Sequence, residues 1–391
     1  MASESRRQNG GSMTGRLGCA TRYNAVIHLR GGRVVWTPLD PEGITDVSWG
    51  RTLGDYSEAS VTVAKQGQPR ECLRRLADVV DEADRITPGV HCWSHELSIY
   101  RDGGLVWQGP VWQPTETRST ITIDARDVLM WNDRQVLATT FSAGETDAGW
   151  MLRRIMTTTY PQGSPNDPNI AEHWRIDAPA GRRYALDEAI CAGSTTVGKL
   201  VRDVCKVGVD QFTLGRKIYM VPSHYRTTRA PYRLHEDDVL GDLEVREGGG
   251  DMATEGYAYG KEPQDGCAHY GLWPPGGFTS AWFGRVTKWR ESTDSNDPST
   301  LADMARASYE YGWPPPKAIV LPDGARLAPT APVSIGQLVP GRPFQVSLPS
   351  YVLGTHARFR LNEVEVSWAP PEPEAVQVSL VTLNQPPEEA A

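Results

Sequence analysis

The stretch "ELSIYRDGGLVWQGPVW", residues 96–112, carries the strongest local signal for the fold. Asp102 and Gly103 form an Asp-Gly dipeptide, which favours the tight turn of a β-hairpin. Large apolar residues stand on both sides of that dipeptide, as in paired strands. The stretch therefore predicts a β-hairpin.

Both faces of this hairpin carry large apolar groups. With the turn at residues 102–103, Ile99 faces Val106 on one side of the hairpin. Tyr100 then faces Leu105 on the other side, with Trp107 beyond it. One face must pack on a core, and the second face needs a cover of its own. That cover is either another element of this chain or a neighbouring protein.

The flanking segments predict more strands and one helix. Residues 20–63 contain β-rich runs with a turn at Gly31-Gly32, and 119–137 contains alternating apolar residues. Residues 69–81 change to a helical period. Its apolar positions are Leu73, Leu76, Ala77 and Val80.

The middle of the chain predicts a helix packed on a hairpin. A helix starts near Thr146, and the loop-like residues 161–170 follow it. Ser194 is a suitable N-cap for a second helix, and Gly208 stands where this helix should stop. The apolar positions of the second helix are Val197, Leu200, Val201 and Val204. Two short strands, Val209–Leu214 and Lys217–Val221, come next.

The remaining chain is again rich in strands. Two strand-like runs flank the glycines of "EGGGD" at 247–251, and 279–291 is aromatic and strand-like. Residues 297–312 predict a helix with Ser299 as its N-cap and Leu301, Met304, Ala305 and Ser308 on one face. Strand follows strand over 317–383.

These signals give a β-rich, multidomain α+β protein with β-barrel-type domains and a small helix-plus-hairpin domain. We expect five segments: a flexible N-terminal arm (1–20), a β-rich domain with one helix (21–140), an α+β middle domain (141–238), a C-terminal β-rich domain with one helix (239–383) and a flexible tail (384–391).

The bulk composition excludes some classes of function. The chain has 391 residues, enough for two to four domains, and a formal net charge of −8. An acidic chain is a poor match for general nucleic-acid binding or for an anionic membrane surface. No apolar run reaches the roughly 20 residues that span a bilayer. The N-terminus also lacks the apolar segment of a signal peptide.

The six cysteines lie far apart and form no Cys-x-x-Cys pair. This spacing indicates reduced thiols rather than a disulfide framework, in a protein made in a cytoplasm. Cys191 and Cys267 are conceivable nucleophiles, yet no local signature supports either residue. A Gly-x-Ser-x-Gly motif and a phosphate-binding loop are both absent from the sequence. We expect no enzyme activity and no cofactor.

Two further patterns contain residue types found in metal-binding and sugar-binding sites. His91 and His95 have a spacing that could hold zinc on a helix, but on a strand they would lie about 13 Å apart. We therefore expect no metal site there.

Thirteen tryptophans combined with acidic pairs could indicate sugar chemistry. The acidic candidates are Glu236, Asp237, Asp238, Asp242 and Glu244, although acidic runs are mostly solvated faces.

An ordered set of motifs resembles a known family. "WGRTLGDYSEASVTV", "ELSIYRDGGLVWQGPV" and "ITIDARDVLMWNDRQVL" resemble the opening domain of minor tail proteins from long-tailed phages of actinobacteria. "STTVGKLVRDVCKVGVDQFTLGRKIYM" resembles their middle unit. "GGGDMATEGYAYGK", "DPSTLADMARA", "RLAPTAPVSIGQLVPGRPFQVSL" and "RFRLNEVEVSW" resemble their closing domain. The resemblance covers roughly residues 22–368.

This resemblance implies a structural virion protein at the tail tip, similar to the baseplate hub proteins of tailed phages. Three copies would form a ring that continues and closes the tail tube and organises the baseplate for DNA delivery at host entry. The implied partners are the distal tail protein, the tape-measure protein and other tail-tip or fibre proteins. DNA would be present only in transit, without membrane insertion. The chain ends soon after its last β-rich unit, so we expect no lysin extension.

In a hub, a neighbouring subunit or the adjoining tail protein would cover the second face of the hairpin. The candidate interface residues are Tyr100, Leu105, Trp107 and Trp112. An acidic lumen that lets DNA slide would agree with the net charge. Two alternatives stay open: a carbohydrate-active or glycan-binding tail protein that acts on the host envelope, and a tail-fibre adaptor or receptor-binding subunit.

Overall fold

The structure is a computed structural model of the chain. It describes residues 15–32, 35–66, 73, 75–76, 79–80, 86–87, 89–161, 170, 173–186, 188–223, 230–260, 269–276, 282–292, 295–322, 324–352 and 358–383. Within this part the protein is a β-rich α+β fold with several sheets, as the sequence predicted.

The strands in chain order are β1 (Tyr23–Leu29), β2 (Val35–Pro38), β3 (Ile44–Thr52), β4 (Glu58–Ala64), β5 (Val79–Val80), β6 (Ile86–Thr87), β7 (His95–Arg101), β8 (Gly104–Glu116), β9 (Thr120–Arg126), β10 (Thr146–Asp147), β11 (Trp174–Ile176), β12 (Arg183–Tyr184), β13 (Val209–Leu214), β14 (Lys217–Pro222), β15 (Tyr232–His235), β16 (Val239–Leu240), β17 (Glu244–Glu247), β18 (Glu255–Tyr259), β19 (Tyr270–Trp273), β20 (Thr287–Glu291), β21 (Lys317–Val320), β22 (Arg326–Leu327), β23 (Pro343–Ser347), β24 (Arg358–Trp368) and β25 (Ala375–Thr382). The α-helices are α1 (Met130–Arg134), α2 (Ala148–Thr159), α3 (Val197–Cys205) and α4 (Pro298–Gly312).

One large sheet joins both ends of the chain. Its order is β17-β21-β25-β24-β3-β4-β9-β8-β7-β1-β2, with β23 also on β24 and β15 on β23. The long-range join is the antiparallel pair of β3 and β24. The predicted segments 21–140 and 239–383 therefore both contribute strands to the large sheet, whereas strands β10 to β14 of the middle segment form two small sheets of their own.

The large sheet curves around one apolar core. Tyr23 on β1 contacts Trp368 on β24, with ring centroids 5.2 Å apart, although five strands separate β1 from β24 in the sheet order. The indole N–H of Trp49 on β3 donates to the Tyr23 hydroxyl at 3.3 Å. Side chains from β1, β3, β9, β24 and β25 all belong to this core.

The opening hairpin has the predicted turn but a different register. Asp102 and Gly103 both have positive φ, 49° and 84°, as a type I′ turn requires. Tyr100 pairs with Leu105 as predicted. A β-bulge then shifts the register, so that Ile99 pairs with Trp107. The predicted Ile99–Val106 pair is wrong, because a bulge moves every later residue to the opposite face.

A second apolar core lies under the helices of the middle segment. It combines α2, α3 and the sheet β11-β14-β13 with side chains from α4. Each predicted apolar position of the second helix is buried. The N-caps differ from prediction by one or two residues: Asp147 replaces Thr146, Thr196 replaces Ser194, and Asp297 replaces Ser299.

A third layer places the small sheet β19-β18-β20 on α4. Glycines allow the close approach of sheet and helix. A Cβ atom at Gly256 would lie 1.9 Å from the carbonyl oxygen of Ala305, and one at Gly271 would lie 2.2 Å from that of Leu301. The four residues predicted to share one face of this helix are all buried.

Two predictions near the N-terminus need correction. Residues 15–20 are not a free arm, since the Leu17 and Gly18 N–H groups donate to the Ala331 and Pro329 carbonyls at 3.1 and 2.9 Å. The helix predicted for 69–81 does not extend to residue 81, because Val79–Val80 is a short β-strand paired with Ile86–Thr87.

Several predicted features lie outside the described residues. They are residues 1–14, most of 69–78, 162–169 of the predicted loop, and the tail 384–391. Across the described part of the chain, no helix is both long and apolar enough to cross a membrane.

Candidate functional site

The turn between β13 and β14 packs on the outer face of the opening hairpin. Arg216 in this turn donates from Nε and Nη2 to the two carboxylate oxygens of Glu96, at 2.8 and 2.9 Å. A Cβ atom at Gly215 would lie 3.5 Å from a methyl group of Leu105. An element of the same chain therefore covers this face around Glu96.

The four candidate interface residues have different environments. Trp107 is 3% exposed and belongs to the large core, where its indole N–H donates to the Ser57 hydroxyl at 3.1 Å. Tyr100 and Trp112 are half-buried. Leu105 is 46% exposed at the tip of the hairpin. The bulge thus removes Trp107 from the outer face and leaves the other three partly accessible.

Strand β13 connects the helical core to the large sheet through buried polar groups. Asp210 on β13 pairs with Arg360 on β24 at 3.1 Å, and both side chains are almost completely buried. The Gly54 N–H donates to the Gln211 carbonyl at 2.7 Å, and the Gln211 amide donates to the Gly54 carbonyl at 2.6 Å. Such contacts fix one orientation of the two parts.

Asp127 is the third polar link and is fully buried. Its carboxylate accepts from the Ser57 N–H and hydroxyl at 2.7 and 2.9 Å, from the Leu129 N–H at 2.9 Å, and from the Thr213 hydroxyl at 2.9 Å. Burial raises the pKa of the carboxyl from 3.8 to about 6, because these hydrogen bonds only partly offset the lost hydration.

The raised pKa of Asp127 makes the free energy of unfolding depend on pH. The folded protein holds the Asp127 proton more tightly than the unfolded chain, so we expect the free energy of unfolding to fall as pH rises from about 4 to about 6. The full contribution is about 3 kcal/mol at 1.36 kcal/mol per pKa unit. Urea unfolding across this interval, for the native chain and Asp127→Asn, measures it. Equal slopes for the two proteins would contradict the assignment.

A groove with a volume of about 690 Å³ opens on the polar face of the large sheet. Residues paired across neighbouring strands form its floor. Ser48 pairs with both Ser60 and Ser367, and Gly50 pairs with Glu365. The charged residues of its lining are Asp55, Glu58, Asp124, Arg126, Glu363 and Glu365. We call this feature the acidic groove.

Aromatic residues form one wall of the acidic groove. The Arg126 guanidinium lies 4.2 Å from the ring centroid of Trp112 and 4.9 Å from that of Tyr56. Arg126 also pairs with Glu58 at 3.0 Å, and Arg134 lies 5.1 Å from Trp112. The groove thus brings together a tryptophan and several carboxylates, as a sugar site would, but guanidinium groups lie against the indole.

A second exposed surface was not singled out from the sequence. The outward face of the small sheet carries Tyr257, Tyr259, Tyr270, Leu272 and Trp289, whose register places them on one side. Tyr270 and Trp289 are 60% and 57% exposed. The rings of Tyr257 and Tyr270 stack with centroids 5.3 Å apart. The alternation in "EGYAY" and "TKWRE" is the signal that could have identified this aromatic face.

The residues considered for metal binding and catalysis have structural contacts. The His91 N–H donates to Nδ1 of His95 at 3.1 Å, at the start of β7. Within the described part, no three His, Cys, Asp or Glu side chains are arranged to hold a metal ion. Cys191 is an exposed thiol, whereas Cys267 lies outside the described residues.

The acidic candidates for sugar chemistry mostly serve local structure. Glu236 accepts from the Ser350 N–H and hydroxyl at 3.1 and 2.7 Å. Asp238 accepts from the His235 N–H at 2.8 Å in a capping box, and the Asp237 N–H donates to Nδ1 of His235 at 3.3 Å. Glu244 pairs with Arg246 at 2.7 Å, and Asp242 is exposed. The lining of the acidic groove includes none of these acidic residues.

Comparison with solved structures places this architecture among phage tail proteins. The 43 kDa tail protein of prophage MuSo2 from Shewanella oneidensis superimposes with a TM-score of 0.57 at 13% identity, covering 93% of this chain and 99% of that chain. A tail protein from Neisseria meningitidis MC58 gives 0.56 at 10% identity, covering 92% and 96%. Prophage tail protein gp18 from Listeria monocytogenes gives 0.54 at 13% identity, covering 92% and 94%.

The shared feature is the fold, over nearly the full length of each chain. No protein-family model matches the sequence, and no curated protein matches it. Sequence identities of 10–13% carry no residue-by-residue correspondence. The protein therefore has the fold of phage tail proteins, while the residues on its surfaces are described from this sequence alone.

Proposed function

We propose that the chain is a hub subunit at the tip of a phage tail, in the class of tail structural proteins rather than enzymes. The observation that carries the proposal is the fold, which matches three phage tail proteins over at least 92% of both chains. The position at the tip rests on the ordered motifs that resemble actinobacteriophage hub proteins. In this role three copies form a ring that continues and closes the tail tube.

The surfaces of the chain support an assembly role. A monomer seldom exposes several large aromatic residues on one sheet face without a partner. Aromatic residues are enriched in the centres of protein interfaces, and the aromatic face offers Tyr270 and Trp289 to such a contact. Tyr100, Leu105 and Trp112 remain proposed contact residues at the hairpin. The proposed neighbours are the distal tail protein, the tape-measure protein and fibre or other tail-tip proteins.

The test is the native mass and shape of the purified chain. We expect light scattering across a concentration series to give three times the chain mass of 43.1 kDa. Class averages from electron microscopy should show a threefold ring with a central opening. A linear filament, or a closed particle without threefold symmetry, would contradict a hub ring.

A further inference from the structure

Helix α2 presents an exposed face that complements the acidic groove in charge. Its outward residues begin with Trp150, Arg153 and Arg154, at positions i, i+3 and i+4 of the helix. Trp150 is 50% exposed, and the Arg153 guanidinium lies 4.9 Å from its ring centroid. Arg153 is half-buried and also donates from Nε and Nη2 to the Ile176 carbonyl at 3.1 and 2.7 Å, whereas Arg154 is exposed, with its guanidinium 5.1 Å from the Phe141 ring centroid. The helix contains no acidic residue. We call these three residues the basic face.

The acidic groove has the opposite character. Five of its charged lining residues are carboxylates, and its one guanidinium, Arg126, is already paired with Glu58. The lining includes no residue of α2, so the basic face of the same chain does not fill it. Tryptophan and arginine seated in a pocket are the usual main contributors to interface affinity.

We propose that the basic face of one copy docks into the acidic groove of the next copy. In this contact Trp150 enters the groove, and Arg153 and Arg154 face Glu363, Glu365 and Asp124. The contact joins two different surfaces, so it is heterologous, and repeated around an axis it closes a ring. The inference rests on the proposed function, because it specifies which surfaces assemble the hub.

The groove itself shows how a guanidinium is held there. Arg126 lies against Trp112 and Tyr56 while it pairs with Glu58. An incoming arginine finds the same combination of aromatic faces and carboxylates beside it.

Charge reversal tests the contact on the full chain. We expect Glu363→Lys/Glu365→Lys to weaken self-association about a hundredfold in light-scattering titrations, since like charges face each other at a buried contact. Arg153→Glu/Arg154→Glu should have a similar effect. The variant with all four changes should recover most of the association, because attraction is restored with reversed signs.

A control and a direct readout separate docking from misfolding. Arg233→Glu/Glu372→Lys reverses two exposed charges outside both surfaces and should leave association unchanged. A photo-crosslinker, p-benzoylphenylalanine, in place of Trp150 should attach to groove peptides within 48–60 or 363–367 of another copy.

Two results would overturn the docking proposal and leave the hub assignment standing. One is a threefold ring that the charge reversals do not affect. The other is a ring whose crosslinks lie away from the groove. A chain that is monomeric at every concentration would overturn the docking proposal too. The hub assignment would then be judged separately, by whether a threefold ring forms once the distal tail protein is added.

Discussion

Replacing Arg216 by methionine is expected to lower the free energy of unfolding by about 3–5 kcal/mol. The variant leaves the Glu96 carboxylate, which is completely buried, without its guanidinium partner. Among the residues that the structure describes, the remaining donors to Glu96 are the Gly31 N–H at 3.2 Å and the Gln108 amide at 3.3 Å. Two such hydrogen bonds do not replace an ion pair in a dry environment.

A double-mutant cycle distinguishes the lost pair from lost packing. Glu96→Leu alone removes the carboxylate that pairs with the buried Arg216 guanidinium, while Arg216→Met/Glu96→Leu removes both charges together. We expect the double variant to lose far less stability than the sum of the single variants, because a buried pair replaced by apolar groups is often nearly neutral. Urea titrations followed by circular dichroism measure all four proteins. Strict additivity would mean that the pair is not coupled.

Replacing Gly256 by alanine is expected to cost about 3 kcal/mol, because the added methyl group has no room. Its Cβ atom would lie 1.9 Å from the Ala305 carbonyl oxygen and 2.9 Å from the Tyr309 nitrogen. Both are backbone atoms of α4, so the helix itself must move away from the small sheet. Hydrogen exchange of the α4 amides should accelerate together with the loss of stability.

Gly249 provides the matched control for this substitution. A Cβ atom there meets nothing within 4 Å, and the residue lies in the turn after β17. We expect Gly249→Ala to change the free energy of unfolding by less than about 0.5 kcal/mol. If both alanine variants are equally stable, then α4 does not pack on the small sheet as closely as the structure describes.

The sequence predicted the class of the fold and most elements, because hydrophobic period and turn residues act locally. The hairpin turn at Asp102-Gly103 and the buried face of α3 are examples. The helix caps were displaced by one or two residues, since several residues able to cap stand side by side. Asp147 is selected in part by tertiary contacts, as it also accepts from the Ala180 and Gly181 N–H groups at 2.7 and 2.8 Å.

The surfaces were harder to predict, because they depend on contacts between distant segments. The bulge that turns Trp107 inward has no signature in the hairpin sequence. The acidic groove combines residues of β3, β4, β9 and β24, and nothing local indicates that β3 and β24 are neighbours. The cover over the hairpin comes from Arg216, 120 residues after Glu96.

The pairing of β3 with β24 has a consequence for biosynthesis. Thr52 and Glu363, which face each other across this pair, are separated by 311 residues. At translation rates of ~5–20 residues per second, roughly 15–60 seconds pass between the synthesis of β3 and the synthesis of β24. Throughout that interval a strand edge is open to other nascent chains. The last strands to leave the ribosome therefore complete the sheet, and the interval before they appear is when the nascent chain is most vulnerable to aggregation.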